Sequence, residues 1–418
     1  MEQAHAAVRT RQDSSADPGV WRATLSGLCA SLVGLGIARF AYTPLIPALI
    51  TEGWFTPSGA AYLGAANLAG YLAGAILARP MAARSSAVAM LRATMLLVSV
   101  AFFACAFPLS FLWFFIWRFA SGFSGGVLMV LAAPTVLAKV PASRRGIAGG
   151  AIFTGVGLGV AASGTLVPIL VKAGGLPTTW FGLAGLALAL TLVAWGGWPR
   201  EPAPAQGAAA SPASTDRHRT GPALKALYAE YGLHAIGLVP HMVFFVDYIA
   251  RGLGQGLETG ARYWVFFGLG AMAGPMLVGY LADRVGFGPA LRLCFLVEAV
   301  AVMLPAATTN PVWLIVSAVV VGGFTPGFVP LVLGRVGELV SHDVAAQKVA
   351  WSAATTAFAV VQAAAAYGLS YIFANTNGYV LLFEIGAVAV VLALLTDLVV
   401  TVGAAAGARR QPVVGAGG

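Results

Sequence analysis

The chain has 418 residues, of which 59% are hydrophobic and only 9% are charged, and its formal net charge is +9. A soluble globular protein carries roughly a quarter charged residues, so this composition excludes an ordinary soluble enzyme and predicts an integral membrane protein. The basic residues form short clusters between apolar runs, which is typical of membrane loops and not of a nucleic-acid-binding surface.

Runs of about 20 apolar residues predict membrane-spanning helices along almost the whole chain. A polar tail over residues 1–19 precedes them, and the first apolar run is too long for the core of a signal peptide, so we expect it to be retained. The predicted spans 1 to 12 lie at 21–46, 57–78, 88–107, 111–136, 147–170, 177–198, 224–247, 262–281, 290–308, 311–333, 349–374 and 379–402.

A segment rich in Pro, Ala, Ser and charge separates spans 6 and 7, at residues 199–222. This composition is typical of a solvated linker. It divides the chain into an N-terminal six-helix bundle over 20–198 and a C-terminal six-helix bundle over 223–403, followed by a tail at 404–418. The predicted fold is therefore an all-α integral membrane protein with twelve transmembrane helices.

The distribution of cations predicts the orientation in the membrane. With the amino terminus inside, 19 of the 24 Lys and Arg residues fall in inner segments, and only Lys172, Arg251 and Arg262 fall in outer ones. Because cytoplasmic loops carry the excess of Lys and Arg, both termini and the 199–222 linker are predicted to be cytoplasmic.

A loop motif occurs at the inner end of span 8, formed by Gly270, Gly279, Asp283, Arg284 and Gly286. Small residues allow close helix packing, and the charges are able to pair with facing helix ends in one conformation only. Gly279, Asp283 and Arg284 are therefore predicted to form a conformational latch. The first half repeats the frame 205 residues earlier without the acid, at Ala65, Gly74, Ala78 and Arg79.

The twelve spans, the central linker and this motif resemble the major facilitator superfamily over nearly the whole chain. Arg118, Gly122 and Gly125 in span 4 resemble its second motif, which is associated with proton-coupled members, and residues 36–45 resemble the bacterial YbfB/YjiJ branch. The resemblance implies a secondary transporter in the bacterial inner membrane, with two pseudosymmetric bundles around a cavity lined mainly by spans 1, 4, 7 and 10. The loop motif of the first half lacks its Asp, and span 5 lacks the Gly-Pro pair that is typical of antiporters in the family. These two differences leave the direction of transport open.

Two arginines inside the spans are the main candidates for substrate binding. A charged side chain costs at least about 2.5 kcal/mol at the bilayer centre, so Arg118 and Arg39 each need a partner or a function. Two guanidiniums in one cavity favour an anionic or hydrogen-bond-accepting substrate. The alternatives are a structural role for Arg118 on helix carbonyls and snorkelling of Arg39 to the outer interface. Further predicted substrate-binding residues are Tyr42, Asn67 and Gln362, for which interhelical hydrogen bonding is the alternative.

Span 7 carries Glu230, His234 and His241 within about 40° of one another on one helical face. Because span 7 is expected to line the cavity, this stripe is predicted to be the proton-coupling path. The alternative is that the histidines are packing residues. Asp247 pairs with Arg251 at i,i+4 as a gate or surface bridge, and Glu298 is expected to be interhelical or loop-facing.

These features predict proton-coupled efflux of a small organic compound by alternating access, with symport of a small organic anion as the alternative. The sequence Gly122-Phe-Ser124-Gly also matches a nucleophile motif, which makes an intramembrane serine protease a remote alternative. No nucleotide-binding or metal-ligand motif is present, so we expect a transporter and not an enzyme, with no cofactor and no metal. The expected partners are the substrate, protons and lipid, without nucleic acid or an obligate protein partner, and the chain is expected to be a monomer.

Overall fold

The computed structural model describes residues 18–141, 145–199, 221–340 and 344–409, and these residues form helices and short connections without a strand. Within these described ranges, eleven helices are long and apolar enough to cross a membrane. One of them, Arg145–Trp195, holds both span 5 and span 6 because the chain turns at Gly174 and Gly175. Gly175 has a φ of 73°, a conformation that glycine adopts without strain. The predicted all-α fold with twelve spans is confirmed.

Two helices of the first half extend well past their predicted apolar runs: span 1 ends at Thr51 instead of 46, and span 2 ends at Arg84 instead of 78. Span 1 contains Pro18–Ser31, a π-helical segment Leu32–Ile37 and Tyr42–Thr51; spans 2, 3 and 4 are Pro57–Arg84, Ala87–Cys105 and Phe111–Leu137. Helical hydrogen bonding continues through polar residues at the membrane surface, which a hydropathy window does not count. Arg84, in the last turn of span 2, also interacts favourably with the helix dipole.

The second half follows the same order. Span 7 contains Pro222–Val239, Pro240–Phe244, Phe245–Asp247 and Tyr248–Gly252; spans 8 to 12 are Gly256–Val285, Phe287–Ala307, Pro311–Leu339, Val344–Thr376 and Val380–Arg409. The last helix therefore passes the predicted end of the C-terminal bundle at 403. Most of the predicted linker, residues 200–220, lies outside the described residues, as do most of the two predicted tails.

The two halves repeat the same close helix contacts with an offset of 200 residues. A Cβ atom on Gly70 in span 2 would lie 2.0 Å from the carbonyl oxygen of Phe119 in span 4, and one on Gly270 would lie 2.0 Å from that of Val319. Spans 3 and 9 likewise begin at Ala87 and at position 287. The 205-residue offset read from the loop motif is therefore wrong by five residues. A Gly-rich sequence can be aligned with another at several offsets, whereas the contacts of each glycine with the facing backbone fit only one offset.

Contacts between the halves close one side of the molecule. The Thr43 hydroxyl in span 1 donates to the carbonyl of Met242 in span 7 at 2.5 Å, and the Phe40 ring lies 6.0 Å from the Trp264 ring in span 8. Gly157 of span 5 packs on the backbone of Met272 in span 8. The first two contacts lie on the side away from the basic loops, and the Gly157 contact lies near the middle of spans 5 and 8. The space between the halves is therefore open toward the basic loops.

Candidate functional site: a central cavity and an arginine-lined pocket

A cavity of about 420 Å³ lies between the two halves. Met129, Gly150, Leu333 and Trp351 line its wide part, and each stands near the end of its span on the basic-loop side. Arg39 and Gln362 line its closed end, which lies in the middle of the membrane. The structure is thus a conformation that is open toward the basic loops and closed on the other side.

The cavity wall is chiefly apolar and aromatic. Its polar lining consists of a few hydroxyl groups, Arg39 and the Gln362 amide, and none of the described lining residues is Asp, Glu, His or Lys. A wall of this kind suits an organic molecule with an apolar body and a few polar groups. The hydroxyl groups belong to Tyr71, Thr154, Tyr231, Thr325 and Thr355.

Arg39 connects the two halves at the closed end of the cavity. Its guanidinium donates to Gln362 Oε1 at 2.5 Å and contacts Met242 Sδ at 3.9 Å, and its Cζ lies 5.1 Å from the centre of the Tyr71 ring. No carboxylate pairs with Arg39 among the residues that the structure describes. Its positive charge is therefore balanced only by an amide oxygen, a thioether and aromatic faces, which leaves it able to receive an anion.

A second, much smaller pocket of about 20 Å³ lies beyond Arg39, away from the wide cavity. That volume holds about one water molecule. Arg39, Tyr42, Asn67 and Arg118 all line it, and so do Thr43 and Met242, which close the outer side. The five residues predicted to bind substrate thus cluster around Arg39, with Arg39 and Gln362 on the cavity and the others on the small pocket.

Arg118 is almost completely buried, at 1% exposure, and its surroundings are polar but uncharged. Its Nη1 donates to the carbonyl of Ala38 at 3.2 Å, and its Cζ lies 4.1 Å from the centre of the Tyr42 ring. The Ala38 carbonyl lies in the interruption of span 1 and also accepts from Asn67 Nδ2 and Ser121 Oγ. These contacts give Arg118 a structural role at the broken helix; its substrate-binding role stays a prediction.

The stripe of span 7 faces the interior of the C-terminal bundle, away from the cavity. His234 Nδ1 lies 2.8 Å from Glu298 Oε2 of span 9, and both side chains have no exposed surface. His241 Nε2 lies 2.7 Å from the Ser317 hydroxyl. Glu230 lines a separate pocket of about 210 Å³. The three residues thus have three separate environments, and their coupling role stays a prediction.

Glu298 is a buried ionisable residue whose partner the sequence did not reveal. Of the two positions expected for it, interhelical and loop-facing, the structure shows the interhelical one, with Glu298 fully buried against His234. Its position in the middle of an apolar run was the available signal, since a carboxyl group there requires a buried partner. The partner could not be identified from spacing, because it lies 64 residues away on another helix.

The predicted latch residues are unpaired in this open conformation. Asp283 and Arg284 are exposed, Arg284 lies over the Tyr280 ring of its own helix at 4.6 Å, and Asp283 forms no ion pair within the described ranges. Near Gly279 there is open space where a Cβ would lie. A latch that closes in the opposite conformation would have these properties here; its role stays a prediction.

Ser124 does not have the environment of a nucleophile. It is fully buried within span 4, and its hydroxyl donates to the carbonyl of Ala120 on the same helix at 3.0 Å. The two histidines considered as its base are bonded to Glu298 and Ser317 in the other half.

Comparisons with known proteins agree with this architecture. The family described as "Uncharacterised MFS-type transporter YbfB" matches residues 31–398. A point mutant of the nucleoside transporter NupG has a similar structure, with a TM-score of 0.72, 12% identity and coverage of 90% of this chain and 99% of that one. A D-xylose-proton symporter has a TM-score of 0.71, 17% identity and coverage of 90% and 96%. No curated protein matches the sequence significantly.

The structural likenesses are too distant in sequence to carry more than the fold. The family match covers most of the chain, and its members are transporters, so the protease alternative is excluded. With its twelve spans, its two equivalent halves and its central cavity, the chain belongs to the YbfB-like transporters of the major facilitator superfamily.

Proposed function

We propose that this transporter exports a small organic compound in exchange for protons, by alternating access. The observation that carries the proposal is the cavity of about 420 Å³ that opens to the basic-loop side and ends at Arg39 and Gln362. A substrate bound there lies at the midplane, between the two halves, where a change in their relative tilt exposes it to either side.

The proposed cycle uses contacts on both sides of the membrane. Opening of the outer side requires the hydrogen bond from Thr43 to Met242 to break, while the inner ends of the bundles approach each other. Asp283 and Arg284 then pair with facing helix ends and hold that state. In this cycle His234, with Glu230 and His241 on the same helix, supplies the proton coupling.

Symport of a small organic anion is the second candidate, and one observation favours it. Arg39 and Arg118 border the same small pocket, and no carboxylate pairs with either of them in the described part of the chain. An anionic group near Arg39 would balance a charge that the protein leaves unbalanced. The apolar wall of the cavity would hold the body of such a substrate.

The proposed location is the bacterial inner membrane, with both termini in the cytoplasm and the chain working as a monomer. The concentration of Lys and Arg on one side supports this orientation. A reporter fused in the 199–222 linker is expected to be active only as a cytoplasmic reporter, and one at 51–56 only as an external reporter. Equal activity of both reporter types at the two sites would contradict the topology.

Substrate screening in proteoliposomes with an imposed pH gradient tests the function. For an exchanger, an acidic compartment on one side is expected to drive the substrate toward that side, whereas symport drives substrate and protons in the same direction. The Arg39→Ala variant serves as the binding-deficient control. Transport that is indifferent to the pH gradient would contradict proton coupling, and the absence of transport for every compound class would contradict the proposal as a whole.

A further inference from the structure

Among the residues that the structure describes, none that lines the substrate cavity has a side chain suited to carry a proton. Its ionisable lining residues are Arg39, Tyr71 and Tyr231, and the ordinary pKa values of arginine and tyrosine are about 10 or higher. The small pocket adds only Arg118 and Tyr42. If the proposed proton coupling is correct, the group that binds the coupled proton must therefore lie outside the cavity.

The buried pair of His234 and Glu298 has the required chemistry. Imidazole exchanges protons in the physiological range, and the carboxyl group that faces it is able to share its proton, since the two lie 2.8 Å apart inside the C-terminal bundle. Each also keeps one atom without a hydrogen-bond partner, Nε2 of His234 and Oε1 of Glu298. The Phe328 ring stacks on the imidazole at 3.9 Å between centroids and limits its movement.

The equivalent position in the N-terminal half shows that the fold does not require this pair. With the 200-residue offset, His234 corresponds to Gly34, Glu298 to Val98 and Phe328 to Leu128. A Cβ on Gly34 would lie 2.5 Å from Leu128 Cδ1, so that half fills the same place with apolar atoms only. Val98 and Leu128 are both buried. Because a buried ion pair is weak evidence for stability, its presence in one half only points to a function.

The described residues that pack directly around the pair are uncharged. Span 7 contributes Tyr231, whose ring lies 6.0 Å from the imidazole, and span 9 contributes Cys294. Spans 10 and 11 contribute the aromatic rings of Phe328 and Phe358. Span 12 contributes Val390 and Ala393 to the same core. A net charge on the pair is costly in this environment.

Two cavities lie close to the pair on either side, although neither His234 nor Glu298 lines them. Glu230 lies one turn before His234, is 2% exposed and lines the pocket of about 210 Å³ on the basic-loop side, together with Arg335 and Asp397. No hydrogen bond or ion pair involves Glu230 in the described part of the chain. On the other side, the rings of Tyr231 and Phe358 are 4.6 Å apart and both line the cavity. One layer of aromatic side chains thus separates the pair from the substrate.

We propose that His234 and Glu298 form the proton-carrying site of the transport cycle, separate from the substrate cavity and supplied from the inner side through the Glu230 pocket. One proton from water binds to the pair when the bundle opens to it and raises its net charge by one. The same proton returns to water in the opposite conformation. Substrate and proton therefore use separate sites, because neither His234 nor Glu298 lines the substrate cavity.

A conformational measurement tests this proposal without a known substrate. Cysteines introduced at Thr51 and Gln255, which are exposed in outer loops of opposite halves, take spin labels, and the native Cys29, Cys105 and Cys294 are buried. The distance between the labels in lipid nanodiscs reports the outer-open fraction. Between pH 5.5 and 8.5 we expect the outer-open to inner-open ratio of the wild type to change by up to about tenfold per pH unit, the limit for one proton.

Glu298→Gln is expected to make this ratio independent of pH. Glu384→Gln is the matched control, because Glu384 is a half-buried acid of span 12 without a hydrogen bond to any described residue, and it is expected to behave as the wild type. The double variant His234→Gln/Glu298→Gln removes both members and avoids an unpaired buried charge if the single variant does not fold. Wild-type pH dependence in Glu298→Gln or in His234→Gln/Glu298→Gln would overturn the proposal. A wild type whose ratio does not change with pH would contradict proton coupling itself.

Discussion

The two halves share one helix frame but bury different charges. In the described part of the N-terminal half, the only fully buried charged side chain is Arg118, whereas the C-terminal half buries Glu230, Asp247, Glu298 and Asp397 together with two histidines. At the position of Arg118 the second half has Ala318, which is fully buried among apolar residues. The comparison suggests a division of labour, with guanidinium groups for substrate in the N-terminal half and proton-exchanging groups in the C-terminal half.

Removing Arg39 is the strongest test of the N-terminal side of this comparison. Arg39→Ala deletes the charge at the closed end of the cavity and the hydrogen bond to Gln362. The loss of a hydrogen-bonded charged group costs about 2 kcal/mol or more, so we expect transport efficiency to fall at least roughly 30-fold. Thermal unfolding is expected to change little, because the side chain is only partly buried. Arg262→Ala, an exposed cation of span 8, is the matched control. Full transport by Arg39→Ala would remove the arginine from the site.

The latch offers the next largest effect. Asp283→Asn removes a charge that is free in this conformation and is expected to pair in the other one. A coupling of about 1–3 kcal/mol would shift the ratio of the two conformations by 5- to 150-fold toward the inner-open state. Protein yield is expected to hold while transport falls. Unchanged transport, with unchanged cysteine accessibility at the inner face, would show that the pair has no role in the cycle.

The shared frame itself predicts equal effects in the two halves. A Cβ at Gly122 would lie 1.9 Å from the carbonyl oxygen of Asn67, and one at Gly322 would lie 2.1 Å from that of Phe267. Overpacking of this kind costs about 1–3 kcal/mol, so Gly122→Ala and Gly322→Ala are expected to lower the unfolding temperature by similar amounts. Gly185→Ala, where a Cβ meets open space, is the control. A large effect in one half alone would argue against equivalent packing.

The smallest effect is expected at Ser124. Ser124→Ala deletes a hydroxyl whose hydrogen bond goes to its own helix, so the helix keeps its packing and its backbone bonds. Transport is expected to remain within about twofold of the wild type, as for most substitutions that break no tertiary contact. A complete loss of transport would mean that the serine has a role outside its helix.

Much of this architecture follows from the sequence because the bilayer imposes strong rules. The twelve spans could be predicted from apolar length and composition alone. The linker at 199–222 falls mostly outside the described residues and stays a prediction. The side toward which a helix face points could not be predicted. Glu230, His234 and His241 share one face of span 7, but span 7 borders both the cavity and the bundle interior. The hydrogen bond of Glu298 to His234 and the cluster on the Ala38 carbonyl depend on tertiary contacts between distant spans, which spacing along one helix does not contain.

The division of labour is tested most directly by removing the histidines while leaving Arg39 and Arg118 in place. His234→Gln/His241→Gln, reconstituted in proteoliposomes, is compared with the wild type for accumulation of the screened substrate under an imposed pH gradient and for substrate exchange without a gradient. The account predicts that the double variant loses the gradient-driven accumulation and keeps the exchange, because neither histidine lines the substrate cavity. Accumulation equal to that of the wild type under the same gradient would contradict it.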